Sequence, residues 1–293
     1  MPPSIRASVF AELAPVPHRP LDSGRHAGRR LKRVSRSIGL ALVAAVAATA
    51  VFGPVFARYD PFSISGGSLE SPSRGHPMGT DALGRDMLSA ILHGTRTSLL
   101  VAGAVSIIAL ACGIVIGTLA GYHRGWVDDA LMRATEIFQV IPRFFFAIIT
   151  IALFGPGLDR IILTLGLTSW PVLARVVRGE VIAMRDLDFI RAAEAMGGTM
   201  WHIVLRQLVP NVLPTVVVAL GLLFGQILLL DATLGFLGLG DPSTISWGMM
   251  AAQAQGFLRE AWWLALFPGM AITITVLGVN LLADSVSAGS AAR

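Results

Sequence analysis

Long apolar runs separated by polar islands set the plan of this chain. A helix needs about 20 predominantly apolar residues to cross the hydrocarbon core of a bilayer. Six runs answer to that: Ile38–Ala57, Thr97–Gly121, Ile137–Phe154, Ile161–Val177, Leu213–Ala232 and Trp262–Asp284. Glu136 and Arg143 intrude on the third, and Trp170-Pro171 interrupts the fourth, where a kink is expected. The pattern predicts an all-α integral membrane protein with six transmembrane helices. A domain over residues 38–284 lies between a basic tail, 1–37, and a short C-terminal tail, 285–293; the tail's first 30 or so residues are expected to be disordered.

The polar island at residues 186–212, DLDFIRAAEAMGGTMWHIVLRQLVPNV, carries helix signals of its own. Asp188 is placed to cap a short helix through Phe189–Met196, and Gly197-Gly198 to end it in a left-handed turn. Thr199 is placed to cap a second helix, and Pro210 to close it before the next apolar run. Phe189, Ile190, Ala193 and Met196 recur at near-helical spacing. They predict a small apolar knob that either enters a groove on a soluble partner or packs against the chain's own helices.

Composition agrees with the hydropathy pattern. The chain has 293 residues, 54% hydrophobic and 14% charged, with mean hydropathy +0.69, whereas soluble domains carry about a quarter charged residues. Of the 23 Lys and Arg, eight fall in residues 1–37, which ends RRLKRVSRS. Basic residues beside a membrane helix mark the cytoplasmic side, so that end is inside, and an even number of spans returns the C-terminus there. Arg124, Arg133, Arg175, Arg178, Arg185, Arg191 and Arg206 then fall in or beside inner connections, while the outer segments 58–96, 155–160 and 233–261 together hold only six Arg. Nucleic-acid binding is not expected of the tail. Ile38–Ala57 is expected to be a retained anchor, because its lead and apolar run are both long for a signal peptide.

Candidate chemistry is sparse. No G-x-x-x-x-G-K-[ST] loop occurs, and the only lysine is Lys32 in the basic tail, so the chain is not expected to hydrolyse ATP by itself. The apolar runs hold few ionisable residues of the kind an ion-driven carrier uses. The six histidines lie outside them with no ligand-like spacing, and Cys112 is the lone cysteine, so neither a metal site, a disulfide nor a bound cofactor is expected. Energy for any transport must then arrive from a partner, and residues 186–212 are the candidate port. A secondary transporter and a membrane scaffold remain as alternatives from other classes.

From about His76 to Asp284 the chain resembles the C-type permease subunit of dipeptide/oligopeptide/nickel ABC importers. The resemblance rests on HPMGTDALGRDMLSAILHGTRTSLLVAG (His76–Gly103), GWVDDALMR, GPGL, SWPVLARVVRGEV, the spacing of Ala192-Ala193, Gly197 and Pro210-Asn211, and LGFLGLGDP with SWGMM. It implies the type I ABC importer permease fold in a bacterial inner membrane. It also implies a second, homologous permease subunit, two ATP-binding subunits that hold ATP and Mg2+, and an extracytoplasmic solute-binding protein. The residues implied to couple to the ATPase are Asp188, Phe189, Ile190, Arg191, Ala192, Ala193, Glu194, Met196, Gly197 and Pro210. Cargo implied by the resemblance is a small peptide, with glutathione or nickel as alternatives.

Arg191 stands where ABC importer permeases at large carry Glu. With Asp188 as cap it is expected at the third helical position, facing Glu194. The departure is either a tolerated surface change or a match to an altered ATPase groove. Arg143, Asp231, Trp170 and Pro171 are candidate pathway or gate residues. Arg143 either faces the pathway or extends to the inner interface, and Asp231, where the family usually has an acid, is expected to hydrogen-bond in the outer loop or at a gate. Among Asp81, Arg85, Asp86 and Arg96, local salt bridges are expected. The Gly-rich LGFLGLG is expected to make an outer re-entrant turn.

Overall fold

The computed structural model describes residues 22–290, with side chains over 34–285. Residues 1–21, where disorder is expected, and 291–293 lie outside the described residues. Helix α1, Asp22–Phe56, starts inside the basic tail rather than at its end, so part of that tail is helical. Arg, Lys, Leu and Ala, good helix formers, allow this extension beyond the apolar run.

Helix α2, Met87–Tyr122, also begins well before its apolar run. Asp86 caps it, accepting from the Ser89 backbone N–H at 2.8 Å and the Ser89 hydroxyl at 2.7 Å. The third span is broken: α3, Trp126–Val140, and α4, Arg143–Phe154, meet at 69° across Ile141-Pro142. Proline has no N–H and disfavours helix at the residue before it, which accounts for the break. The fourth span, α5 (Leu158–Arg185), runs through Pro171 as one helix. The fifth and sixth spans are α8, Val209–Phe236, and α10, Trp263–Ser290, joined on the outer side through the short helix α9, Trp247–Ala254. Five of these helices are long and apolar enough to cross a membrane, and the bent pair, counted as one span, gives six.

Helices α2 and α5 share the most extensive helix contact. A glycine stripe sets it: Gly113, Gly117 and Gly121 lie four residues apart on α2. A Cβ at Gly117 would sit 2.5 Å from the Ala174 carbonyl and 2.6 Å from Val177 Cβ, and one at Gly121 2.7 Å from Val181 Cβ. Small residues at this spacing let helix backbones approach closely in a bilayer. The main core follows, with Val101, Ala102, Val105 and Ala109 of α2 against Leu165, Leu173 and Ala174 of α5 and Leu223 and Ile227 of α8.

The outer segment between α1 and α2 folds as a small clasp. His76, buried, bonds Asp86 Oδ1 through Nδ1 at 2.9 Å and stacks obliquely on Tyr59 at 5.3 Å. Asp81 Oδ1 accepts from the Leu83 and Arg85 backbone N–H groups, each at 2.8 Å. The expected Asp–Arg salt bridges are therefore replaced by backbone caps and a His–Asp pair, because the carboxylates turn inward to unpaired N–H groups. Trp263 Nε1 donates to the Thr80 carbonyl at 3.1 Å and ties the clasp to the start of α10.

Candidate functional site

On the side the arginines assign to the cytoplasm, Asp186 to Leu208 fold into a hairpin. Its first helix, α6, is Asp188–Ala195, and Leu187, not Asp188, is the cap residue. Asp188 sits in the first turn, where its charge still favours the positive helix end. Leu187 takes the cap position because its extended backbone offers its carbonyl to the N–H groups of Ile190, at 3.0 Å, and Arg191, at 3.1 Å. Arg191 therefore lies one position deeper than the spacing predicts. Its guanidinium reaches Asp186 at 3.7 Å, and Glu194 accepts instead from the Tyr122 hydroxyl at 3.0 Å. The expected Arg191–Glu194 pair does not form because both side chains have nearer partners.

The glycine turn is a complete two-bond C-terminal cap. Gly197 adopts φ +82°, its N–H donates to the Glu194 carbonyl at 2.9 Å, and the Gly198 N–H donates to the Ala193 carbonyl at 2.9 Å. Thr199 then caps α7, Met200–Ile203, accepting from the His202 N–H at 3.4 Å.

Pro210 does not end the second helix. A π turn, Val204–Leu208, carries α7 into α8, so the helical run continues from Met200 to Phe236. The wide turn accommodates the proline, whose ring would clash with the carbonyl four residues back and which has no N–H to give it. Val209 N–H bonds the Val204 carbonyl, and the Asn211 side chain caps the Gln207 carbonyl at 2.6 Å.

The predicted knob is divided between two faces. Ile190 and Ala193 are buried in a second core with Val177 and Val181 of α5, Ile203, Val204 and Leu208, and Val212 and Val216 of α8. Phe189 and Met196, 45% and 83% exposed, point away from it, beside Arg191, Ala192 and Glu194. Leu187, Trp201 and Leu205 add exposed apolar surface that the spacing of the first helix does not disclose. Trp201, three residues past the glycine pair, was the available signal: an indole in the middle of a polar island.

Polar ties fasten the hairpin to neighbouring inner ends. Arg124, after α2, bonds Asp186, and Arg185 donates to the Gly121 carbonyl at 2.6 Å. Arg178 of α5 grips Asp128 of α3 with two bonds, at 2.6 and 2.7 Å.

The remaining candidates are scattered. Trp170 and Pro171 are buried in the middle of α5, Trp170 edge-on to Phe138 at 5.4 Å. Asp231 is buried near the outer end of α8, and its carboxylate makes no hydrogen bond or ion pair among the described residues. Arg143 opens α4 at the elbow of the broken span. The Gly-rich turn after α8 has Gly238 at φ +76°. Beyond it Asp241 accepts from the Ser243 N–H at 2.9 Å, the Ser243 hydroxyl at 2.6 Å and the Leu158 N–H at 3.3 Å. The hydroxyl bond chiefly holds this carboxyl below its ordinary value, and burial works against it. Among the described residues no three His, Cys, Asp or Glu side chains gather to hold a metal ion.

The described residues thus form a many-span membrane domain with a cored inner hairpin. Residues 113–293 match the family model of the binding-protein-dependent transport system inner membrane component, and the chain belongs to that family. It is 34% identical over 269 residues to the dipeptide transport system permease protein DppC of Alkalihalophilus pseudofirmus, covering 89% of this chain and 87% of that one. It is 34% identical over 256 residues to the di/tripeptide transport system permease protein DppC of Pseudomonas aeruginosa, covering 85% and 84%. The glutathione transport system permease protein GsiD of Pectobacterium atrosepticum is 37% identical over 219 residues, covering 74% and 72%. In fold, the chain aligns with an inward-facing structure of the MetNI methionine ABC transporter at TM-score 0.59 and 21% identity, covering 70% of this chain and 97% of that one.

Proposed function

We propose that this chain is one of two permease subunits of an ATP-driven importer of small peptides, and that its inner hairpin receives the motion of separate ATP-binding subunits. In this proposal a second, homologous permease completes the pathway, a solute-binding protein delivers cargo from the outer side, and ATP and Mg2+ sit on the partner subunits. Peptide cargo is supported by near-full-length similarity to dipeptide and di/tripeptide permeases.

One observation carries the coupling role: the hairpin is built on its own core yet turns Phe189, Met196 and Trp201 outward. A segment that packed only for itself would bury those side chains. Its buried half, Ile190 and Ala193, joins α5 and α8, so displacement of the hairpin displaces both spans. Asp188, Arg191 and Glu194 supply the polar rim around the exposed apolar groups, Ala192 adds a small exposed methyl, Gly197 fixes the turn, and Pro210 lies where the hairpin passes into α8. Arg191, 64% exposed, is positioned to meet an acidic group on the ATP-binding subunit.

Gentle affinity purification from the native membrane, with mass spectrometry of what co-purifies, tests the assembly. Recovery of a second permease and ATP-binding subunits is expected, and an intact chain arriving alone from membranes that express them would overturn the proposal. Exchange of Arg191→Glu should lower ATP-driven uptake with the cognate ATPase, and unchanged uptake would remove the charge-matching role while leaving the importer intact.

A further inference from the structure

The elbow of the third span holds an unexplained concentration of positive charge. A cavity of about 400 Å³ opens there, lined by Phe138, Gln139, Ile141 and Pro142, by Arg143 of α4, and by Val172 and Arg175 of α5. The side chains of Arg143 and Arg175 make no hydrogen bond and no ion pair among the described residues. Their neighbours are treated differently. Arg178, three residues beyond Arg175, is held bidentately by Asp128, Arg185 is spent on the Gly121 carbonyl, and Arg124 and Arg191 both reach Asp186. Arg143 and Arg175 thus line one cavity with no carboxylate among the described residues paired to either.

Two like charges lining one cavity repel each other, and an anion between them relieves that repulsion. The backbone gives a second indication. Broken helix at membrane depth persists where it is enclosed by protein or lines a water-filled cavity, since lipid satisfies none of the freed groups. Discontinuous spans are also where transport proteins place solute sites. The walls combine an aromatic ring, two aliphatic side chains and an amide with the two cations, and the volume falls in the range of small-ligand pockets.

We propose that Arg143 and Arg175 form a pathway subsite for the carboxylate of the cargo, with Gln139 as an auxiliary donor and Phe138, Ile141 and Val172 receiving the apolar part. Guanidinium forks match carboxylate oxygens in pairs, which suits a free peptide C-terminus. The inference rests on the peptide-importer proposal and adds to it the group that the permease itself recognises. An inner-leaflet lipid phosphate is the competing occupant, and the broken backbone argues for the aqueous one.

The complete transporter, in nanodiscs of phosphatidylcholine alone and without binding protein, is titrated with alanylalanine and with its C-terminal amide, and binding is read by saturation-transfer NMR. The free acid should bind at least fivefold more tightly than the amide. Arg143→Gln and Arg175→Gln should each remove that preference, while Arg143→Lys keeps part of it and shows that the loss is of charge rather than of folding. Equal binding of acid and amide, or a preference that survives both Gln variants, would overturn the subsite. Anionic lipid that co-purifies with the wild type and is lost from the Gln variants would assign the cavity to a headgroup and equally overturn it. The underlying proposal is read separately, by uptake of a dipeptide library into vesicles with binding protein and ATP. Absence of all uptake by the wild type sinks the importer proposal, whereas normal acid-selective uptake by both Gln variants sinks only the subsite.

Discussion

Ile190 shows how one side chain can matter more than the charges around it. It is fully buried between α5 and α8, whereas Arg124, Asp186 and Arg191 are each more than half exposed. Exposed ion pairs are worth about 0–1 kcal/mol, while truncating a buried Ile to Ala costs about 2–5 kcal/mol. Ile190→Ala should therefore loosen the hairpin, seen as faster proteolysis between Asp186 and Leu208 and a loss of uptake in vesicles. Tyr122→Phe combined with Arg124→Gln should lower stability by less than about 2 kcal/mol and keep uptake within about twofold. A double variant as damaged as Ile190→Ala would show that the polar ties, not the core, hold the hairpin. The spacing of Phe189, Ile190, Ala193 and Met196 was visible in the chain, but not which pair turns inward. That division is decided by Val177, Val181, Val212 and Val216, which belong to other spans.

At the scale of elements, hydropathy located the spans because burial in lipid leaves a one-dimensional trace. It misplaced their ends because helices run on past the apolar stretch under local caps and protein packing, as α2 does from Asp86. The glycine pair and Thr199 were legible because each acts on its own neighbours in sequence. The passage from hairpin to α8 was not: a proline reads as a stop, and the π turn that absorbs it has no composition of its own. The stripe Gly113, Gly117, Gly121 was open to inspection as a repeat of four residues, although only the structure shows that it meets α5. Gly117→Leu should separate α2 from α5, since backbone and a branched Cβ lie within 2.6 Å of the new carbon. The expected outcome is a sharply reduced yield of folded protein in detergent, judged by size-exclusion chromatography. Gly103→Leu, where a Cβ meets nothing within 4 Å, should leave the yield near that of the wild type.

Across the whole molecule, α5 and α8 are tied to each other at both ends. At the inner end, Ile190 and its neighbours bind the two spans into one core. At the outer end, Asp241, in the turn after α8, accepts the first N–H of α5 at Leu158. Because the Asp241 carboxyl lies below its ordinary value in the folded protein, its contribution is present above the usual carboxylate range and is lost as pH falls through the folded value. Protection of the Leu158 amide against hydrogen exchange should therefore decline in acid for the wild type, and Asp241→Asn should flatten that pH dependence. A pair of struts pinned at top and bottom resists sliding of one past the other and leaves tilting as the soft motion. A push delivered at the hairpin would then arrive on the outer face as a change of angle, with Asp241 as the upper pin.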